Sequence, residues 1–142
     1  MIGTPLSPGR TTGSLLLLDE PLSFWGGSDV ATGEITDVHH PQRGISAAGR
    51  VLALAGSRGS SSSSTVLAEQ IRRGVAPAAI LLRGPDAIVA LAAIVARELY
   101  AIDVPVVVLA PGDFDALPRA GTVTVTATDE TAEVRIDETG RR

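Results

Sequence analysis

The chain has 142 residues, enough for one compact domain but too few for a second domain of ordinary size. Its 16 acidic residues outnumber its 12 lysines and arginines, and the net charge of −4 argues against a protein that binds the phosphate backbone of nucleic acids. Cysteine is absent, which excludes a disulfide, a thiol nucleophile and a cysteine ligand for iron from this chain.

The first half of the chain reads as strands and turns. Short apolar or alternating runs, each bounded by Gly, Pro, Asp or Ser, predict strands at residues 13–19, 33–38 and 50–56. Aromatic residues make up only 3% of the chain against 44% hydrophobic residues, so the core must be built mainly from Val, Leu, Ile and Ala. Such a core suits strands that are covered by alanine-rich helices.

In the second half of the chain, helical and strand-like segments alternate. Apolar spacing predicts helices over 64–74 and 86–100, the second with Asp86 as its N-cap. Continuous apolar runs at 78–84 and 104–110 predict buried strands. We therefore expect two strand–helix–strand units, a parallel sheet segment and right-handed crossovers.

Alternation over residues 122–137 predicts a closing β-hairpin, with its turn at 128–131. One face of this hairpin is apolar and consists of Val123, Val125, Ala127, Ala132, Val134 and Ile136. Residues 138–142 read as a frayed tail. The whole pattern predicts one α/β domain over residues 1–142 with an ordered core at about 10–137, built as a mixed sheet or open barrel with two crossover helices.

Neither a membrane span nor a secretory signal is expected. The longest apolar run, residues 87–96, has about half of the ~20 residues that a membrane-spanning helix needs. The first ten residues contain no cationic segment that leads into an apolar stretch. We therefore predict a cytoplasmic protein with neither a membrane partner nor a nucleic-acid partner.

Five consecutive serines at 60–64 stand between a predicted strand and a predicted helix. A glycine turn followed by a serine at a helix start is a ready anion site, because the first-turn amides have no partner within the helix and the helix dipole is positive there. The segment matches neither the phosphate-binding Walker A pattern nor the glycine pattern of dinucleotide folds. The alternative interpretation is a plain serine N-cap followed by tolerated surface serines, and the loop by itself leaves both open.

A second candidate is the loop over residues 21–33, which contains the single tryptophan, Trp25, beside Gly26 and Gly27. One interpretation is an aromatic plug that closes one end of the core. The other is a loop whose glycines let a ligand or partner approach the backbone closely.

The adjacent histidines His39 and His40 are a third candidate. Neighbouring side chains point in divergent directions and seldom bind one metal, and no cysteine completes a zinc set. A histidine near the mouth of a site is the better interpretation, and we predict no metal ligand in this chain.

Four segments, in their order and spacing, resemble the small subunit or swivel domain of the aconitase X family. They are residues 21–37, 39–54, 56–82 and 87–107. The most specific pieces are the PLSFWGG and TG motifs of the first segment, the RGS that opens the serine run and the APAAIL strand. The resemblance covers residues 13–109, which is most of the chain.

The resemblance implies a swivelling β/β/α domain of the aconitase type that docks on a larger catalytic subunit. Family members are hydro-lyases, and the implied cofactor is an iron–sulfur cluster whose iron acts on the departing hydroxyl. Because this chain has no cysteine, a cysteine-containing large subunit would hold the cluster. The implied substrate is a small hydroxy acid, either cis-3-hydroxy-L-proline, as in bacterial members, or a mevalonate 5-phosphate, as in the archaeal phosphomevalonate dehydratase.

In the family, the proton acceptor is a serine that follows a glycine, and this motif falls on Gly59 and Ser60. The resemblance thus assigns Ser60 as the catalytic base. The residues expected to bind the substrate are Arg58, Gly59, Ser61, Ser62 and Gly27. Serine also fills positions 61–64, where many archaeal members differ, and this favours cis-3-hydroxy-L-proline as the substrate. Ser63 and Ser64 are expected in the first turn of the helix, with milder effects when substituted.

Three alternatives stay open at this point. The chain fits the small subunit of a phosphomevalonate dehydratase as a second choice of substrate. It also fits a non-catalytic swivel module that binds anions or regulates another enzyme. Finally, the swivel domain is compatible with a part of a fused enzyme as well as with a separate subunit.

Overall fold

The computed structural model describes residues 1–137, whose strands form a closed barrel. The strands are β1 (Ile2–Ser7), β2 (Gly9–Leu17), β3 (Val51–Leu54), β4 (Ala79–Leu82), β5 (Val106–Leu109), β6 (Thr122–Ala127) and β7 (Ala132–Asp137). The helices are α1 (Phe24–Gly27), α2 (Ser61–Arg73), α3 (Ala87–Tyr100) and α4 (Pro111–Asp115), of which α1 is a single irregular turn. Around the barrel the strands follow the order β1, β5, β4, β3, β2, β6, β7.

Strands β2 to β5 pair in parallel, and they confirm the parallel segment that the sequence predicts. Every residue of β3 and β4 is buried. One face of each strand lines the barrel interior and the other packs under the helices, which is why these runs are continuously apolar. Helix α2 connects β3 to β4, and α3 connects β4 to β5, so both predicted strand–helix–strand units are present.

The two long helices begin and end at residues suited to those positions. Ser60 is the N-cap of α2, and Gly74 ends it with a left-handed φ of 76°. Asp86 is the N-cap of α3, as predicted. Within residues 1–137, no helix has the length and apolar character needed to cross a membrane.

Strand β1 closes the barrel and was not predicted from the sequence. Ile2–Ser7 pairs antiparallel with β5 on one side and with β7 on the other. The ordered structure therefore begins well before residue 10. Gly3 and Pro5 made this segment look unlike a strand in the sequence, since both residue types are depleted in strands. Within residues 1–137, closure pairs each strand on both sides, in contrast to the open barrel that was one of the predicted alternatives.

Residues 33–38 form a loop and not the predicted strand. Only isolated bridges occur there, between Ser28 and Ile35 and between Glu34 and Ser46. Ile35 is fully buried, whereas Val38 is exposed. The alternation of apolar and polar residues therefore reflects one buried side chain, Ile35, which packs in the core although the loop does not pair as a strand.

The predicted hairpin is confirmed in β6 and β7. Val123 lies opposite Ile136 and Val125 opposite Val134, so the apolar face points into the barrel. In the turn, the Thr128 hydroxyl accepts hydrogen bonds from the Glu130 and Thr131 amides. The predicted tail at 138–142 lies outside the described residues.

We expect Gly33→Ala to destabilise the fold more than Gly49→Ala. Both glycines have a left-handed φ, +75° and +70°, so both substitutions carry a backbone penalty of about 1–2 kcal/mol. A Cβ on Gly33 would also collide with the Val75 carbonyl oxygen, whereas nothing lies within 4 Å of one on Gly49. Urea unfolding should show a further loss of about 1–3 kcal/mol for Gly33→Ala. Equal losses in the two variants would contradict this account of the Gly33 loop.

Candidate functional site

The candidate site lies where the parallel strands β2, β3 and β4 end. The carboxyl ends of parallel strands share one edge of a sheet, and ligands of α/β folds bind outside that edge. The segment after β2 and the segment after β3 are tied together there. Leu22 forms a parallel bridge with Ser57, and the Arg58 amide donates to the Leu22 carbonyl at 2.9 Å. The predicted loop at 21–33 and the serine loop therefore form one surface.

Ser60 is held at the tip of a glycine turn. Gly59 has a φ of +101°, which a residue with a side chain rarely adopts. Ser60 is extended, and its hydroxyl accepts a hydrogen bond of 3.4 Å from the Ser62 amide. Arg58, Gly59 and the first serines of the run are exposed. The structure therefore places a helix cap with an exposed hydroxyl at this position, and a serine cap was one of the two interpretations that the sequence left open.

The five serines divide into an exposed group and a buried group. Ser61 and Ser62 are exposed on the first turn of α2, whereas Ser63 and Ser64 are buried. The Ser64 hydroxyl donates to the Ile88 carbonyl at 2.8 Å and so joins α2 to α3. The interpretation of the later serines as tolerated surface residues is therefore wrong for Ser63 and Ser64.

Asp86 holds the segment that leads into the serine run by binding Ser57, a contact that was not predicted from the sequence. Its Oδ1 accepts from the Ile88 and Val89 amides at 3.0 and 3.1 Å. Its Oδ2 accepts from the amide and the hydroxyl of Ser57 at 2.6 and 2.7 Å. Burial opposes the charged form, but these hydrogen bonds outweigh it and lower the pKa of Asp86 below its ordinary value. The N-cap pattern revealed only half of this role.

Three arginines at this edge each face a carboxylate. Arg83 binds Asp115 at 3.0 Å, and Arg119 binds Asp19. The hydrogen bond from Arg119, with one from the Gln42 side-chain Nε2, holds the pKa of Asp19 below its ordinary value. Arg58 contacts Glu20 at 3.5 Å, and both side chains are about half exposed. The long Arg58–Glu20 contact leaves this guanidinium the easiest of the three to redirect toward an anion.

The loop at 21–33, called the tryptophan loop from here on, places its two aromatic residues in different environments. Phe24 is buried in the core, whereas the Trp25 side chain is 65% exposed. Gly26 has a φ of +81°, and a Cβ on it would have nothing within 4 Å. Gly27 is buried, and its carbonyl accepts from two amides of the following loop. Trp25 and Gly26 therefore present the open face of this loop, and Gly27 faces inward.

The two histidines lie in different environments. His40 is buried, and its Nδ1 accepts from the Gln42 amide while its Nε2 lies 3.2 Å from the Glu20 carbonyl oxygen. His39 is exposed. Among residues 1–137, no group of three or more His, Cys, Asp or Glu residues is arranged to hold a metal ion. Without cysteine, the side chains of this domain do not fit an iron–sulfur cluster.

A groove of about 580 Å³ runs between α2 and α3 beside the serine run. Ser61 and Ser62 lie at one end, and Leu91, Val95 and Tyr100 contribute apolar walls. This groove was not predicted from the sequence, although the apolar run of α3 continues on both sides of the helix. The exposed serines therefore adjoin an apolar surface.

Comparisons with known proteins agree on one family. The family model described as aconitase X swivel domain matches residues 1–134. A cis-3-hydroxy-L-proline dehydratase of Pseudomonas aeruginosa is 51% identical over 104 residues, which are 73% of this chain but only 18% of that protein. A phosphomevalonate dehydratase small subunit of Methanothermobacter thermautotrophicus is 41% identical over 64% of this chain and 70% of its own length.

The fold is shared with a solved structure. The crystal structure of Thermococcus kodakaraensis aconitase X in its holo-form contains a chain that superposes with a TM-score of 0.80 and 31% identity. The superposition covers 94% of this chain and 95% of that one. The predicted mixed α/β architecture is confirmed by this match.

Asp86→Asn should lower the free energy of unfolding by about 1–3 kcal/mol at pH 7, because the amide turns a donor toward Ser57. A carboxyl whose pKa is lowered on folding stabilises the fold above its unfolded pKa, ordinarily 3.8. That contribution is lost as the pH falls through the lower folded pKa. The difference between wild type and variant in urea unfolding should stay constant from pH 7 to about 5 and shrink below about 4.

Asp137→Asn is the matched control, since Asp137 is exposed at the end of β7. Its effect should stay within about 0.5 kcal/mol at neutral pH. A stability difference for Asp86→Asn that grows at acid pH would overturn the assigned role.

Proposed function

Because this chain belongs to the aconitase X swivel-domain family, we propose that it is the small subunit of a hydro-lyase and that Ser60 is the base in the dehydration of a hydroxy acid. The observation that carries the proposal is the placement of Ser60, which is exposed beside the Gly59 turn at the N-terminus of α2. A carboxylate that reaches this point meets first-turn amides and the positive end of the helix dipole.

In the proposed reaction, Ser60 removes the proton from the carbon next to the substrate carboxylate. The proton passes to the anionic Oγ of Ser60, the electron pair of the broken carbon–hydrogen bond forms the carbon–carbon double bond, and the hydroxyl leaves the neighbouring carbon with its bonding pair as hydroxide, so that the proton and the hydroxide together account for the water that is lost. Arg58, Gly59, Ser61 and Ser62 bind and orient the substrate through the guanidinium, the hydroxyls and the amides of the turn. Gly27 is part of the same proposal, although its buried position favours support of the loop over direct contact.

A serine hydroxyl is a weak base, so its anionic form needs stabilisation. The helix N-terminus contributes up to ~2 kcal/mol, which corresponds to about 1.5 pKa units. That is too little by itself. The remainder is assigned to the Arg58 guanidinium, to the neighbouring amides and hydroxyls, and to exclusion of water when the domain docks on its partner.

The substrate that we propose is cis-3-hydroxy-L-proline, which would give pyrroline-2-carboxylate. The support is the higher identity to the Pseudomonas dehydratase, 51%, than to the archaeal small subunit, 41%. A mevalonate 5-phosphate is the alternative substrate. Turnover assays of the assembled enzyme with both compounds decide between them.

We further propose a cysteine-containing large subunit as the partner and the holder of the iron–sulfur cluster. The support is the small-subunit name of the archaeal relatives, together with a donor set in this chain that does not fit a cluster. In the Pseudomonas relative, the matched segment is 18% of a longer chain, so the partner region is also compatible with a fusion. The cytoplasmic location stays a prediction from the sequence.

A non-catalytic swivel module that binds anions is the second candidate function. One observation favours it: the Ser60 hydroxyl already serves as the N-cap of α2, which is a structural role. Such a module would bind a carboxylate or phosphate at the turn without turning it over, even in the presence of the large subunit.

Ser60→Ala should lower turnover of the assembled enzyme by about 10²–10⁴-fold, the range for loss of a positioned general base. The loss of one cap costs only about 1 kcal/mol of stability, so the domain should stay folded. Steady-state kinetics and thermal unfolding measure the two effects. Ser60→Asn is the matched control, because Asn replaces the cap equally well but has no hydroxyl. Near-normal turnover in either variant would contradict the assignment.

The chain expressed alone should contain no iron–sulfur cluster and should catalyse no dehydration, because it supplies no cysteine ligand. Iron analysis and visible absorbance of the purified chain test this. The chain co-expressed with the large subunit serves as the positive control. A stoichiometric cluster in the isolated chain would refute the proposal that the large subunit holds the iron–sulfur cluster.

A further inference from the structure

The buried hydroxyl of Ser63 has no part in the proposed chemistry, yet it touches both loops of the site. Its side chain lies on the first turn of α2 and is completely buried, with 0% exposure. The Trp25 amide donates to Ser63 Oγ at 3.3 Å. Ser63 Oγ in turn donates to the Arg58 carbonyl at 3.4 Å. One side chain therefore bridges the tryptophan loop and the glycine turn.

Ser23 completes this bridge from the other side. Its hydroxyl donates to the Trp25 carbonyl at 2.7 Å and lies 3.4 Å from Ser63 Oγ. A serine hydroxyl has one proton to donate and two lone pairs to accept with. The Ser63 hydroxyl donates its one hydrogen bond to the Arg58 carbonyl and accepts one from the Trp25 amide, so the buried hydroxyl has a partner both as donor and as acceptor.

The glycine turn packs directly on this pair of hydroxyls. A Cβ on Gly59 would lie 3.1 Å from both Ser23 Oγ and Ser63 Oγ, closer than most such contacts in folded proteins. The backbone of Gly59 therefore rests on Ser63 without a side chain between them. Because Ser60 is the next residue, its position depends on the same support.

We infer that Ser63 is a positioning residue, which fixes Ser60 and the exposed Trp25 relative to each other across the two loops. This inference rests on the proposed role of Ser60. The hydrogen bonds of Ser63 are long, so the close packing of the Gly59 backbone on its hydroxyl carries most of this positioning role. Small displacements of a reacting group cost large factors in rate, about 10²-fold for 1 Å.

Ser64 provides a matched control in the next position. It is also buried, at 6% exposure, and its hydroxyl also makes a hydrogen bond, to the Ile88 carbonyl. That bond joins α2 to α3 and does not reach the glycine turn. Ser63→Ala and Ser64→Ala each delete one buried hydroxyl from the same turn of helix, so their melting temperatures should fall by similar amounts.

The kinetic arm uses the chain assembled with its large subunit and cis-3-hydroxy-L-proline as the probe. Ser63→Ala should lower kcat by about 10–100-fold with KM within about threefold, since a positioning defect acts on the transition state. Ser64→Ala should keep kcat within about threefold at a comparable melting temperature. Equal kcat in the two variants would show that Ser63 does no more than stabilise the fold.

The second arm needs no activity and uses amide NMR of the 142-residue chain. Ser63→Ala should shift the Gly59 and Ser60 amide resonances and speed hydrogen exchange at the Trp25 amide, whereas Ser64→Ala should leave all three in place. Unmoved resonances in Ser63→Ala overturn the inference whatever the kinetics. If they move but Ser60→Ala keeps full turnover, the base assignment fails and the coupling between the loops stands.

Discussion

The burial of β3 and β4 on both faces is the constraint on which the rest of the structure depends. Val51, Ala53, Ala79 and Leu81 fill the barrel interior, whereas Leu52, Leu54, Ile80 and Leu82 pack under α2 and α3. Strands enclosed in this way have little freedom to slide, since a shift of one residue would exchange the two faces. The loops that follow these strands therefore leave the sheet at fixed points, and the end of β3 determines where α2 begins.

Local patterns predicted the elements that depend on local physics. The apolar periodicities of β3, α2, β4, α3 and β5 lie within single segments, and so do the Asp86 cap and the β6–β7 hairpin. Strand β1 forms only because it pairs with β5 and β7, which lie about a hundred or more residues away, and its own Gly3 and Pro5 argue against it. The Ile35 loop shows the converse case, in which a strand-like pattern lacked a neighbour to pair with.

In the candidate site too, features set by neighbouring residues could be predicted and features set by distant contacts could not. The position of Ser60 could be inferred from the sequence, because a glycine turn, a cap and a helix follow one another along the chain. The second use of Asp86, which reaches Ser57 from 29 residues away, was not, since nothing near either residue encodes the contact. A serine run also looks uniform in sequence, and only the packing of α2 against α1 and α3 separates the exposed members from the buried ones.

The exposure of Trp25 has an optical consequence. It is the single tryptophan of the chain, and it lies beside the serine run with its indole largely in water. Indole emission from this domain therefore originates at the edge of the site. Any molecule that covers that edge removes water from the ring, and a blue shift of the fluorescence spectrum reports its arrival without a label.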